Sequence, residues 1–369
     1  MTLEADTPHP ASRRAPPRAT IKDVARTAGV SVTTVSNVLN GRNGSMTPDT
    51  LERVQGAIWD LGFRRSATAR SLVRQRTSTI GLVIAEIETP LFLQAIPVIQ
   101  ALARAAEYDV LIYSARDEES EAQAIELLLE KDVAGVVFLS TSAYSNHQPI
   151  MTLTDSGKPA VLVNRANAPE VFDRINWDNQ GGVEEAVAHL ARLGHTRIAH
   201  LCGPPHRYSS MERVRGYRAA LTRYGLAFDP ALVQMIDYTG SQEAWRDATI
   251  TLLRPGSRPT AIIAADDMIA SVAMNTIQQR GLTVPHDISI VGIDDQYFGS
   301  VLNPPLTTVQ LPVPEAGRLA IELLLARMTG DTAPPRRIVL PCPLLIRAST
   351  APPVTDDNGA ATCINRTDH

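Results

Sequence analysis

The spacing of apolar residues over the first sixty positions predicts three short helices. Ile21, Val24, Ala25 and Ala28 recur at i, i+3, i+4 and i+7, the stripe of one helix face, and Thr20 with Asp23 three residues on has the form of a capping box. A first helix should therefore begin at Ile21. Gly29 suits the left-handed position that ends a helix, and Ser31 suits the cap of a second helix starting at Val32. On that second helix Val35, Val38 and Leu39 can pack inward, which leaves Val32, Thr33, Ser36 and Asn37 as a strip of small groups facing solvent. Thr47 before Pro48 marks a third start, and Leu51, Val54, Ile58 and Leu61 supply its apolar stripe up to Gly62. Two helices joined by a four-residue turn and braced by a third make a helix-turn-helix headpiece over residues 19–64, whose exposed strip fits a DNA major groove. A helical hairpin buried in a core is the alternative, and the polar strip counts against it.

After residue 78 the period changes. Short apolar, β-branched runs at 79–85, 110–114, 135–139, 160–164, 197–202, 261–265 and 288–293 alternate with runs of helical period such as 91–107, 180–193 and 267–280. Continuous apolar strands separated by amphipathic helices are the pattern of parallel sheets covered on both faces. That number of strands predicts two doubly wound lobes over residues 78–350. Flanking segments lack any period: residues 1–18 are rich in proline and arginine and read as a disordered arm, and residues 351–369 read as a disordered tail with no leucine heptad.

Charge changes this picture more than composition does. The 369 residues carry a net charge of −4, which looks wrong for a DNA binder. Up to Thr77, however, 12 Lys and Arg stand against 6 Asp and Glu, a balance of +6, leaving 23 against 33, or −10, for the rest. A cationic head on an acidic body is the asymmetry expected where only the head meets phosphates. No leader-like apolar segment opens the chain, and no run approaches the roughly 20 apolar residues of a membrane span, so a cytoplasmic protein associated with the nucleoid is expected. Cys202, Cys342 and Cys363 are odd in number and lack metal-ligand spacing, as free thiols in a reducing compartment would. There is no nucleophile elbow, HExxH or phosphate-cradling glycine loop, and hence no expected catalysis, cofactor or metal.

The ordered set TIKDVA, AGVS, TVS, VLN, ARSL and TIGLV resembles the signature of the lactose-repressor (LacI/GalR) family of bacterial transcription regulators, over roughly residues 20–350. The resemblance implies an α/β fold with an all-α headpiece followed by a two-lobed, periplasmic-binding-protein-like body. The chain would cross between lobes near residues 178, 310 and 340, giving an N-lobe of about 78–177 and 311–339 and a C-lobe of about 178–310 and 340–350. It further implies a homodimer on a near-palindromic operator, with a hinge segment at 65–77 that folds against DNA. DNA-facing residues would be Thr20, Ser31, Val32, Thr33, Thr34, Ser36, Asn37 and Asn40 in the headpiece, with Ala69, Arg70 and the wedge Leu72 in the hinge.

Ligands of open α/β sheets lie beyond the carboxyl ends of the strands, so residues just after strands are the candidates for an effector cleft. These are Phe92, which could stack on a ligand or be core, then Asp178, Arg207, Arg213, Asp266 and Asp294. Arg213 and Asp294 fall where the resemblance implies effector contacts, whereas Asp266 departs from the asparagine common there. Carboxylates and guanidinium groups together suit a polyol whose hydroxyls both donate and accept, so a sugar is the first reading of the effector and a nucleoside or purine corepressor the alternative.

Overall fold

The computed structural model describes residues 19–39, 41–42, 46–63, 77–85, 90–139, 147–165, 168–205, 207–238, 240–254 and 258–354. Its contacts divide the chain into two compact units, Met1–Arg76 and Thr77–His369.

In the first unit, helix α1 spans Ile21–Ala28 and opens with a complete capping box, in which the Asp23 amide donates to the Thr20 hydroxyl and the Thr20 amide to the Asp23 carboxylate at 2.9 Å. Gly29 closes the helix with φ 65, the left-handed conformation that costs glycine little. Ser31 Oγ accepts from the Thr34 amide at 3.0 Å and so starts α2, Val32–Leu39. Thr47 caps α3, Pro48–Asp60, with proline in its first turn. Val24, Ala25, Ala28, Val35, Val54 and Ala57 form the small core between the three helices, with Val38 and Leu39 packed at its edge.

Among the described residues, the second unit contains two six-stranded sheets. In chain order come β1 (Thr79–Ile84), α4 (Pro90–Leu93), α5 (Ile96–Ala105), β2 (Asp109–Ser114), α6 (Glu118–Glu130), β3 (Val136–Leu139), α7 (Gln148–Asp155), β4 (Ala160–Val163) and β5 (Asp173–Trp177). There follow α8 (Asn179–Arg192), β6 (Ile198–Cys202), α9 (Tyr208–Arg223), β7 (Val233–Met235), α10 (Gln242–Leu252), β8 (Ala261–Ala264), α11 (Asp267–Gln279) and β9 (Ser289–Asp294). The chain ends with β10 (Thr307–Gln310), α12 (Val313–Met328), β11 (Arg337–Leu340) and β12 (Leu344–Leu345). The helical run expected over 91–107 is two helices, because Pro97 has no amide to donate and sits in the first turn of a new one, α5.

The first sheet has the order β11-β5-β4-β3-β1-β2 and is parallel throughout. The second has the order β12-β10-β9-β8-β6-β7 and is parallel except for β12, which runs against β10. The chain leaves the first sheet after Trp177, returns after Gln310 and leaves again after Leu340. At these places its segments are bonded side by side: the Asp178 amide donates to the Leu340 carbonyl at 2.9 Å and the Gln310 amide to the Pro343 carbonyl at 2.8 Å. One apolar cluster runs from Ile80, Leu82 and Ile99 to Val187, Ile263 and Val291, while the outer faces of the two sheets have clusters of their own around Phe138 and Ile262. Burying each such side chain contributes about 1.5–3 kcal/mol.

Helices α8 and α9 pack closely because a glycine lies between them: a Cβ on Gly216 would stand 2.4 Å from the Gln180 carbonyl oxygen. Gly216→Ala should therefore lower stability by about 1–3 kcal/mol. Gly56, in α3 with nothing within 4 Å, is the contrasting case. There Gly56→Ala should stabilise by roughly 0.5–1 kcal/mol, since it only removes backbone entropy from the unfolded chain. Denaturant unfolding of both variants checks the opposite signs.

Candidate functional site

On the headpiece, the strip of α2 divides by what each side chain is already bonded to. Val32 and Thr33 are exposed, with Val32 at 42% the most exposed large apolar residue of this helix. Ser36 and Asn37 are half-buried beside them. Thr34 turns back, its hydroxyl lying 2.8 Å from Ser31 Oγ, and the Thr20 hydroxyl donates to Asp23 at 2.6 Å, so Thr20, Ser31 and Thr34 act first as caps. Asn40, Ala69, Arg70 and Leu72 lie outside the described residues.

In the body, a group of charges gathers at the carboxyl ends of the second sheet's strands. Arg213, on α9, is only 5% exposed, and a buried guanidinium must spend its donors on protein acceptors. Its Nε donates to Asn179 Oδ1 at 3.1 Å; its Nη1 donates to the Ala265 carbonyl at 2.6 Å and lies 3.3 Å from the Tyr238 hydroxyl. Its Nη2 stands 4.0 Å from Asp294 Oδ1. These partners come from the start of α8, the segment after β7, the end of β8 and the end of β9, so four connections meet on one cation.

The carboxylates around it are held by short polar contacts. Asp266 caps α11 by accepting from the Ile269 amide at 2.7 Å. Asp267, wholly buried, accepts from the Thr308 hydroxyl at 2.6 Å and the Gln296 amide at 2.7 Å. Asp294 takes φ 116, a positive value that a side chain other than glycine rarely adopts and that costs on the order of 1–3 kcal/mol. Asp295, at φ 55, turns instead to Arg347 at 2.5 Å and Gln310 at 2.8 Å.

Burial dominates the acidity of this group. It pushes Asp267 up to about 7 against the pull of Thr308 and Gln296, and Asp266 to about 6 against the amides of α11 and the charge of Arg213. Asp294 rises well above the usual carboxylate range, first through burial and then through repulsion from Asp266. Burial likewise raises the Tyr238 phenol.

Two buried amides at the same place are left half-used. Asn179 Nδ2 has no partner, and the assignment is unambiguous because its other terminus accepts from an arginine, which can only donate. Gln296 gives its Nε2 to Asp294 Oδ2 at 3.3 Å, and its Oε1 has no partner. A buried polar atom left unsatisfied costs about 1–3 kcal/mol.

Of the candidates read from the sequence, Arg213, Asp266 and Asp294 come together here. Arg207 lies beside them, its guanidinium 5.3 Å from the centre of the Tyr238 ring. Asp178 is exposed and caps α8 through the Gly181 amide at 2.8 Å. Phe92 is 2% exposed and packed in the apolar cluster with Leu91, Ala95 and Ile99, the surroundings that its core reading calls for. Asn179, Tyr238 and Gln296 escaped the sequence reading. Asn179 stood one residue from Asp178 and was passed over for the charged neighbour, and Tyr238 follows β7, a strand of three residues that period alone does not reveal. Among the described residues, no group of three or more His, Cys, Asp or Glu is arranged to hold a metal ion, and no helix is long and apolar enough to cross a membrane.

Residues 20–66 match the family described as bacterial regulatory proteins, lacI family, and residues 187–350 match the periplasmic binding protein-like domain. The ribose operon repressor of Escherichia coli K12 is 33% identical over 336 residues, covering 90% of this chain and 100% of that protein. Catabolite control protein A of Priestia megaterium is 31% identical over 333 residues, covering 90% of this chain and 99% of the relative. Among solved structures, the Lac repressor dimer bound to operator and the anti-inducer ONPF superposes with a TM-score of 0.78 at 28% identity, covering 91% of this chain and all of that one. With headpiece and body both matched along nearly the full length of such relatives, this chain belongs to the lacI family of bacterial regulatory proteins.

Proposed function

We propose that this protein is a transcriptional repressor whose hold on operator DNA is set by a sugar bound between the two lobes of its body. It works as a cytoplasmic homodimer and catalyses no reaction. The observation that carries the effector reading is the half-used polar floor around Arg213: Asn179 Nδ2 offers a donor, Gln296 Oε1 an acceptor, and Asp266 and Asp294 offer further acceptors. A polyol presents both lone pairs and hydroxyl protons, so it can answer each of these at once. The ribose operon repressor and a regulator solved as a CelR-cellobiose complex, 31% identical with a TM-score of 0.67, support a sugar over a purine.

The DNA-reading role rests on the exposed face of α2. Val32, Thr33, Ser36 and Asn37 would meet base edges in the major groove, with the hinge residues Ala69, Arg70 and Leu72 contacting the minor groove at the operator centre. A dimer repeats the headpiece about a two-fold axis, which makes the operator a near-palindrome. Effector that binds one arrangement of the lobes more tightly than the other shifts the population between them, and operator affinity follows by linkage.

Gel retardation of promoter DNA with and without sugars tests the whole reading: a retarded band that a sugar alters is expected, and retardation indifferent to every sugar would leave the body without the proposed role. Replacing Asp294 by the isosteric asparagine should weaken the effector about tenfold or more while ligand-free retardation persists, because a hydrogen bond to a charged group contributes about 1.5–3 kcal/mol. Loss of ligand-free DNA binding in Asp294→Asn would assign this residue to the fold instead.

Asn37 can pair bidentately with adenine, whereas arginine prefers the acceptors of guanine. Asn37→Arg should therefore change the selected base at one position per half-site, with about 1–3 kcal/mol of discrimination. Operator selection with both proteins measures this, and an identical base at every position would remove Asn37 from base reading.

A further inference from the structure

In the first unit the positive charge lies outside the helices. Residues 19–63 carry four cations, Lys22, Arg26, Arg42 and Arg53, against four acids, Asp23, Asp49, Glu52 and Asp60, so they balance at zero. Arg26 is paired with Asp23 at 3.3 Å and Arg53 with Asp49 at 3.1 Å, and among the described residues no ion pair holds Glu52 or Asp60. Both of these acids are exposed on α3.

Two further residues of α3 run against helix stability. Trp59 is 86% exposed, more than any other large apolar residue described. Three positions before it stands Gly56, a poor helix former, where a Cβ would meet nothing within 4 Å. Glu52, Gly56, Trp59 and Asp60 follow one another at i, i+4, i+7 and i+8 and so share one face. A helical side chain leans back over the preceding turn, which here is bare at Gly56. The result is an uncovered ring beside an open notch, flanked by two carboxylates.

Phosphates are repelled by such a face, so the duplex is not its occupant. A cationic strand containing proline fits it, because arginine stacks well on tryptophan and proline-rich segments dock on aromatic surfaces already extended. The chain carries such a strand itself. Residues 8–18 hold three arginines, at 13, 14 and 18, and four prolines, at 8, 10, 16 and 17, with no acid among them. They lie outside the described residues, which begin at Ala19, directly before the Thr20 cap of α1. Ile21, at the start of α1, packs at the edge of the same small core as Ile58 and Leu61, on either side of Trp59. At about 3.1 Å per residue for a proline-rich strand, Arg18 and Arg13 reach roughly 6 and 22 Å from Thr20, against about 20 Å for the length of α3.

We propose that residues 8–18 fold back on this face of α3, with arginines on the Trp59 ring and on Glu52 and Asp60 and a proline in the notch at Gly56. The tether supplies an effective concentration of about a millimolar, so a contact with a dissociation constant of that order is formed about half the time. It keeps three cations beside the headpiece, where a polyanion competes for them.

Acrylamide quenching of tryptophan fluorescence in the full-length protein, without DNA, tests this, because Trp177 and Trp245 are 3% and 8% exposed and leave Trp59 as the accessible ring. Subtracting the signal of Trp59→Phe isolates it. Deleting residues 2–18, or replacing Arg13, Arg14 and Arg18 together by serine, should raise the quenching constant of Trp59 about twofold, as a half-formed contact requires. Gly56→Gln should do the same by filling the notch, and its melting temperature should not fall, since glutamine is the better helix former. Equal quenching in the full chain and in the truncated or serine variants would overturn the proposal, and so would a Gly56→Gln variant that protects Trp59 as well as the wild type does. Protection that survives the truncation and grows with protein concentration would also overturn it, and would give the face to a second copy of the chain.

Discussion

A guanidinium withdrawn from water must be met by acceptors on nearly all sides, and that requirement at Arg213 fixes the geometry at the carboxyl ends of the second sheet. Truncating one partner of a buried ion costs on the order of 3–5 kcal/mol, more than most single apolar truncations short of the largest. The cation is therefore not free to wander, and the residues that meet it are positioned along with it. Asn179 is the first residue of α8, Ala265 follows β8 and Asp294 ends β9, so one side chain ties the start of a helix to the ends of two strands. The parallel sheet makes this possible, because it delivers every strand end to the same edge.

Strain and burial at this edge run against stability, and other contacts compensate. Asp294 holds a positive φ and Asp266 faces it as a like charge. Asp267 is deeper than either, yet its two strong donors, Thr308 and the Gln296 backbone, leave it a structural clamp between α11, β10 and the loop after β9. The three adjacent acids thus differ in kind. Asp267 joins three elements, Asp266 caps a helix, and Asp294 lies between Arg213 and Gln296.

The sequence reading located the apolar central strands to within a residue or two, because a strand buried on both faces writes itself as an unbroken β-branched run. It missed β5, β7, β10, β11 and β12, and for four of them the reasons are local and physical. β7 and β12 have three and two residues, too few to show a period. β11 forms an edge with alternating exposure, and β5 carries Asp173 and Asn176 inside it, the former paired with Arg327 at 2.7 Å across 154 positions of chain. No pattern within a window foretells that partner. In the same way Arg213, Asp266 and Asp294 were visible as charges after strands, while Tyr238 and Gln296 acquire their meaning only from neighbours that the fold supplies. Phe92 had two readings in sequence, and the fold places it among Leu91, Ala95 and Ile99 in the apolar cluster.

Leaving polar atoms unmet inside a protein is costly enough that each instance calls for a cause, and an effector of the proposed kind would supply one. A buried polar atom without a partner, as at Asn179 Nδ2 and Gln296 Oε1, costs about 1–3 kcal/mol. A ligand that meets them in one arrangement of the lobes and not in another recovers that amount selectively. Coupling free energies between sites of regulatory proteins are typically 1–3 kcal/mol, a factor of 5–150 in affinity. One or two such atoms are thus sufficient in magnitude to move an operator equilibrium, and no large rearrangement of the core is required. Close-packed clusters such as those around Phe138 and Ile262 do not deform continuously, which is what allows a small difference at one site to be felt at another.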